Sequence, residues 1–298
     1  LNEKRYAIFN LINLINVINL TQSTQSTQST EKQMPVFYDQ IGREISLSAA
    51  PKRIVSVVPS QTELLFYLGL DQEVVGITRY CVHPADKFKT TAKIGGTKQL
   101  DIAGIKALKP DLIIANKEEN EKNQIEELMM FCPVWVSDIN DLPGAVDMIE
   151  KVGVLVNRES AAKAISGLIK DRFDSLTMLQ SPLRIAYFIW RKPYMAAGRG
   201  TFINSMLQKC GFTNVFEQGR YPEVNAAVIA GARPDVIFLS SEPYPFKEKH
   251  IAEFKAMLPS AVIKVVDGEL FSWYGSRLLY APAYFEELLN LLSPAFNH

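Results

Sequence analysis

The sequence predicts an α/β fold of two lobes, each built on a mainly parallel sheet, joined by one long backbone helix. Three observations predict it. Short β-branched runs alternate with amphipathic helical stretches on both sides of the middle of the chain, the pattern of a sheet covered by helices on both faces. One order of elements also recurs: Ile105-Lys-Ala-Leu-Lys-Pro-Asp-Leu-Ile-Ile is matched by Ile229-Ala-Gly-Ala-Arg-Pro-Asp-Val-Ile-Phe, each a helix end, a basic residue, Pro-Asp and a strand. Between the copies, Asn157 to Leu179 places Ala161, Ile165, Leu168, Ile169, Phe173, Leu176 and Leu179 at helical spacing, with Lys163, Lys170, Asp171 and Asp174 between them. Asn157 is expected to cap that helix and Ser181-Pro182 to stop it, giving a rod of roughly 30 Å.

Residues 1–34 stand apart in texture: Lys4 and Arg5 precede Leu-Ile-Asn repeats through Leu20, and Thr-Gln-Ser repeats run from Thr21 to Thr30. The order basic, apolar, polar is that of a secretory signal, yet Asn10, Asn13, Asn16 and Asn19 interrupt the apolar part and no Ala-x-Ala site follows. The segment is either such a signal or a low-complexity extension ahead of a start at Met34. After it come a lobe over 35–140, linking helices over 141–182 and a second lobe over 183–298.

Within the first lobe, Val36-Phe37-Tyr38 and Arg43 to Leu47 form a hairpin, and Ile54 to Val58 a buried strand. Ser60-Gln61-Thr62-Glu63 reads as a capping box opening the helix Leu64 to Leu68, which Gly69 ends. Val74 to Ile77, Asp111 to Ala115 and Val134 to Val136 are further strands; Asp101 to Leu108, Lys122 to Met130 and Leu142 to Leu155 are helices. The second lobe repeats the grammar with the strand Arg184 to Trp190, the helix Thr201 to Lys209 closed by Gly211, the strands Asn214 to Phe216 and Val262 to Val266, and the terminal helix Ala283 to Leu292.

With 32 basic and 32 acidic residues and 47% hydrophobic composition, the chain is an ordinary globular sequence without the field that a nucleic acid or an anionic membrane would need. Cys81, Cys132 and Cys210 lack metal-site spacing and read as buried thiols. His83, His250 and His298 are too few for a metal site made of protein alone, although a haem needs only one ligand. Gly198-Arg199-Gly200 lacks the third glycine and the following acidic residue of a dinucleotide fingerprint. No Ser-His-Asp, Cys-His or paired-carboxylate constellation assembles from local motifs, so neither catalytic nor protein-metal residues are assigned.

Four segments carry a resemblance: Phe37-Tyr-Asp-Gln-Ile-Gly-Arg-Glu-Ile, Pro51-Lys-Arg-Ile-Val-Ser-Val-Val-Pro-Ser-Gln-Thr-Glu-Leu, Ala107-Leu-Lys-Pro-Asp-Leu-Ile-Ile and Cys210-Gly-Phe-Thr-Asn-Val-Phe. Through them the chain resembles the class III substrate-binding proteins that deliver cobalamin, haem or iron-siderophores to ABC importers. The resemblance implies two Rossmann-like lobes on a rigid helix, a periplasmic or cell-envelope location (cytoplasmic if Met34 is the start), a monomer, and no intrinsic cofactor. It implies capture of a corrinoid or metal chelate in the inter-lobe cleft for import. The alternative is a scavenging or sensing protein on the same fold, uncoupled from any importer.

Ligands of open α/β sheets sit beyond the carboxyl ends of the strands, and those loops are rich in rings and arginines here. The expected ligand-binding residues are Tyr80 and His83 after one strand, Trp190, Arg191 and Tyr194 after another, Tyr221, and the run Trp273, Tyr274 and Arg277. Rings bury large flat area with few rotors, and Arg adds charge-assisted hydrogen bonds to anionic groups. Tyr80, Tyr194 and Tyr221 match cleft positions of the cobalamin binder, whose two further tryptophans fall at about Gly96 and Asn116. The glutamates by which such binders dock on permease arginines match Ala103 and Ala227, with Asp101 and Glu223 nearby.

Overall fold

The hairpin β1 (Val36–Tyr38) and β2 (Glu44–Ser46) pairs Phe37 with Ile45, and Asp39 is buried at its turn, where its carboxylate takes Ile41 N, Arg43 N and the Arg43 guanidinium. The structure, a computed structural model, describes residues 36–178 and 182–296. The signal-like segment 1–34, the expected helix end at Leu179 and the expected stop at Ser181 lie outside them. The chain divides into two units, Leu1–Ser137 with Asp147–Leu168, and Asp138–Val146 with Ile169–His298.

The first unit carries β3 (Ile54–Ser56), α1 (Pro59–Tyr67), β4 (Val74–Ile77), α2 (Ala85–Thr90), β5 (Ala92–Lys93), α3 (Ile102–Ala107), β6 (Leu112–Asn116), α4 (Lys122–Met129) and β7 (Val134–Ser137). Its five strands run parallel in the order β5-β4-β3-β6-β7. β3 and β6 are buried throughout, as strands covered on both faces must be. The winding reverses between β3 and β6, and their carboxyl ends therefore mark the switch point of the sheet.

Two helices follow, α5 (Leu142–Leu155) and α6 (Glu159–Asp174), and the division between the units falls within both. Asn157 does not cap α6. Its φ of 57° places it in the left-handed region as the residue that closes α5, with Arg158 N donating back to Gly153 O at 2.7 Å, and Asn tolerates that conformation better than other non-glycine residues. α6 also stops short of the expected end. Ser175 Oγ donates to Arg172 O and Leu176 N to Phe173 O, which tightens the last turn, while Leu176 stays buried from a non-helical segment. Gly153 on α5 faces Ala162 on α6 so closely that a Cβ at 153 would lie 2.1 Å from the alanine methyl.

The second unit carries β8 (Arg184–Trp190), β9 (Tyr194–Ala196), α7 (Phe202–Lys209), β10 (Thr213–Asn214), β11 (Glu223–Val224), α8 (Ala226–Ala232), β12 (Val236–Ser240), α9 (Ile251–Met257), β13 (Val262–Val266), α10 (Gly268–Ser272) and α11 (Ala281–Phe296). The order is β11-β9-β8-β12-β13 with β10 also beside β8. β10, β12 and β13 pair in parallel, whereas β9 and β11 form an antiparallel edge. The strand expected to reach Phe216 ends at Asn214, whose amide oxygen takes Phe216 N and turns the chain into the core.

The recurring Pro-Asp sequence does the same work in each unit. Asp111 accepts from Lys52 N and Arg53 N at 2.7 and 2.9 Å while Arg53 Nη2 donates to Leu108 O, beyond the end of α3. Asp235 accepts from Arg184 N at 2.8 Å while Arg184 Nη2 donates to Ala232 O, the end of α8. One carboxylate starts a strand, and the arginine beside it satisfies a helix-end carbonyl.

Candidate functional site

At the switch point of the first unit the loops after β3, β6 and β7 bring together a buried polar group: Ser60 and Gln61 on α1, Asn116, Asn120 and Ser137. Asn116 Oδ1 accepts from Glu118 N and Glu119 N at 2.8 and 2.9 Å, which fixes its amide so that Nδ2 donates to Ser137 Oγ at 2.9 Å. Ser137 Oγ donates to Ala115 O and accepts from Gln61 Nε2. Asn120 takes Asn116 N on its oxygen and spans Val57 O and Thr97 O with its nitrogen. The expected capping box does not form. Pro59 occupies the first helical turn, the helix begins after Val58 with no side-chain cap, and Ser60 Oγ has no hydrogen-bond partner among the described residues.

Tyr80 follows β4 and is 55% exposed, with the Arg79 guanidinium 5.9 Å from its ring centre. A Cβ at Gly96 would lie 3.1 Å from Tyr80 Cε2 and 3.5 Å from Arg79 Nε, so the ring and the guanidinium pack directly on the Gly96 backbone. His83 is half-buried in the same loop, and Cys81 is fully buried there, its thiol pushed up by burial. Cys132 and Cys210 are likewise buried, the Cys132 thiol pushed up to about 12.

In the second unit the loops after β8 and β12 hold two groups. Trp190, 39% exposed, stands edge-on to Tyr244 at 5.7 Å. Arg191 pairs with Glu253 at 2.7 Å, and Tyr194 OH donates to the same carboxylate while its ring packs on Phe188 and Phe254. Burial and the Glu253 bond raise the Tyr194 phenol to about 12, whereas Arg191 holds the Glu253 carboxyl below its ordinary range. A carboxyl depressed on folding contributes stability above its unfolded pKa and loses it as pH falls through the folded value. Glu253→Gln is therefore expected to be less stable than the native chain at neutral pH, with the gap closing below about pH 4. Urea midpoints that differ equally at all pH values would refute this.

The second group centres on Trp273, whose indole donates to Glu242 Oε1 at 2.9 Å, as does Ser272 Oγ at 2.8 Å. Arg277 lies 5.0 Å over the Trp273 ring and pairs with Glu269 at 2.9 Å. Tyr274 is buried edge-on against Phe202. Burial, with Glu269 and Asp267 near, raises the Glu242 carboxyl above its ordinary range. Tyr221 is half-buried just before β11. Trp190, Arg191 and Tyr194 are thus gathered with each other, and Trp273 with Arg277. The residues that organise them, Glu242, Tyr244 and Glu253, sit in or after the Ser241-Glu-Pro-Tyr-Pro-Phe loop, which its place behind a strand and its two prolines would have flagged.

Ala103 and Ala227 are exposed at the starts of α3 and α8. Asp101, beside the first, is the cap of α3, accepting from Gly104 N at 2.9 Å, and is already engaged. Among the described residues no helix is long and apolar enough to cross a membrane, and no group of three or more His, Cys, Asp or Glu is placed to hold a metal ion.

The sequence profile of the periplasmic binding protein family matches residues 54–264. The vitamin B12-binding protein of Pectobacterium carotovorum subsp. carotovorum (strain PC1) is 23% identical over 256 residues, which cover 83% of this chain and 91% of that protein. The crystal structure of the periplasmic vitamin B12-binding protein of Vibrio cholerae aligns with a TM-score of 0.69 at 22% identity, covering 81% of this chain and 98% of that one. A periplasmic haem-binding protein in complex with two haems aligns with a TM-score of 0.72 at 22% identity, covering 82% and 98%. At these identities the structural likenesses speak to the fold.

Proposed function

Because this chain belongs to the periplasmic binding protein family, whose members bind solutes and are not enzymes, we propose that it captures a corrinoid or a metal chelate, haem or siderophore, for ABC-type import across the cell envelope. The observation that carries this reading is the placement of large exposed rings, Tyr80 in the loop after β4 and Trp190 as the last residue of β8, at the carboxyl ends of the two sheets. Flat, amphipathic area of that kind suits a large planar ligand. His83, Tyr194, Tyr221, Arg191 and Arg277 add polar contacts, and the buried Trp273 and Tyr274 hold the arginine loop in place. Docking on a permease proceeds without glutamates at 103 and 227, through contacts of another chemistry.

Titrating the purified chain with vitamin B12, haemin and a ferric hydroxamate, read by ligand absorbance, tests the proposal. Micromolar or tighter binding of one of them is expected, weakened about five- to tenfold by Tyr80→Ala or Trp190→Ala, about 1–1.4 kcal/mol each. No binding of any of the three, or chemical turnover of one, would overturn it.

A further inference from the structure

At the start of α1, Gln61 Oε1 and Ser60 Oγ have no hydrogen-bond partner among the described residues, although neither residue is more than 2% exposed. Such atoms are rare because an unmet buried polar group keeps its full desolvation cost, and each one asks for an explanation. The bonds around Gln61 rule out a simple reversal of its amide. Ser137 has one hydroxyl hydrogen, directed to Ala115 O at 3.1 Å, and can only accept from Gln61; the amide nitrogen therefore faces Ser137 and the oxygen is turned elsewhere. Asn116, held by two backbone N–H groups, takes the remaining place on Ser137 Oγ. The orientation of Gln61 is thus set by Ser137, Ala115, Asn116, Glu118 and Glu119, none of which gains anything from the oxygen it leaves open.

The position is as telling as the chemistry. α1 follows β3, the strand at which the first unit's sheet reverses its winding, and Asn120 joins Val57 O to Thr97 O, tying this polar group to the loop beside Gly96 and Tyr80. The nine-residue helix has no side-chain cap, Pro59 carries no N–H and Thr62 N already donates to Val58 O, so Ser60 N and Gln61 N are the first-turn donors that no helical carbonyl takes.

We infer that the first turn of α1 recognises a carboxamide of the ligand, its carbonyl taken by the helix N–H groups and the Ser60 hydroxyl and its NH2 by Gln61 Oε1. This rests on the solute-binding reading above and narrows it. A carboxylate has no hydrogen for Gln61 and would set two acceptors face to face. The site therefore favours the amide-rimmed corrinoids over haem, whose rim carries carboxylates.

The test separates a ligand role from a structural one. Gln61→Met keeps the length and removes the open oxygen. It is expected to unfold in urea at the same midpoint as the native chain or higher, yet to bind vitamin B12 at least tenfold more weakly. A structural glutamine, or one serving only an ordered water, would give a B12 affinity within twofold of native, and that result overturns the inference. Should Gln61→Met fail to refold, Ser60→Ala carries the same comparison, with unchanged B12 affinity again decisive against it. A native chain that binds haemin but not vitamin B12 overturns the carboxamide assignment alone. A native chain that binds neither these nor a ferric hydroxamate overturns the solute reading with it.

Discussion

Replacing Phe188 with Ala is expected to lower the stability of the chain by about 3–5 kcal/mol, the range for deleting a fully buried aromatic ring. Phe188 is wholly buried in β8, which pairs with β9 and β12, and its ring centre lies 5.0 Å from Phe254, 6.0 Å from Phe216 and 6.1 Å from Tyr194. These neighbours come from α9, β9 and the loop after β10, so no one of them can move in without moving its own backbone, and the cavity stays largely open. Tyr194 and Glu253 lean on the same ring cluster, and the loss should reach the loop after β8 as well. Trp190 and Trp273 report the second unit by fluorescence during urea unfolding. A loss under about 1 kcal/mol would mean that the site collapses freely and that the packing assigned to Phe188 is mistaken.

Asn116→Ala should cost about 2–4 kcal/mol, because it strips the acceptor from Glu118 N and Glu119 N and a donor from Ser137 in one step. Asn116→Asp keeps the acceptor, loses the donor to Ser137 and puts a carboxylate in a buried place, where the two backbone N–H groups compensate its charge in part. It should fall between the alanine variant and the native chain. If aspartate is as damaging as alanine, the two backbone bonds are not what makes the asparagine matter. Unfolding midpoints of the three proteins decide the matter.

Elements with a clear apolar period were legible from sequence: Val74–Ile77, Leu142–Leu155, Arg184–Trp190 and Val262–Val266 have the bounds their patterns predict. Ala85–Thr90 was invisible because none of its residues is buried, so it has no apolar face to read. Tyr194–Ala196 and Glu223–Val224 are too short to show alternation and exist because they pair with each other and with β8. The linking helix was read too long at its carboxyl end, where the apolar period runs on through Leu176 after the helix has stopped at Asp174, and its cap was given to Asn157, which instead closes α5. The candidate site was legible as a set of loops but not as a set of partners. Arg191 finds Glu253 62 positions away, and the Ser60-to-Glu63 spacing imitates a capping box that Pro59 displaces by shifting the helix start.

The division of the chain inside α5 and α6 bears on the order in which the protein can be made. Residues 138–146, belonging to the second unit, are followed by 147–168, which complete the first, before the body of the second begins at 169. A ribosome therefore releases a piece of the later unit early and the closing piece of the earlier unit late. No single cut yields two whole units, and neither can be obtained by truncation alone: a fragment ending at 137 lacks two helical stretches of its own unit, and one starting at 169 lacks the turn of α5 that was already synthesised. The two units are separate in their internal contacts yet share one biosynthetic history.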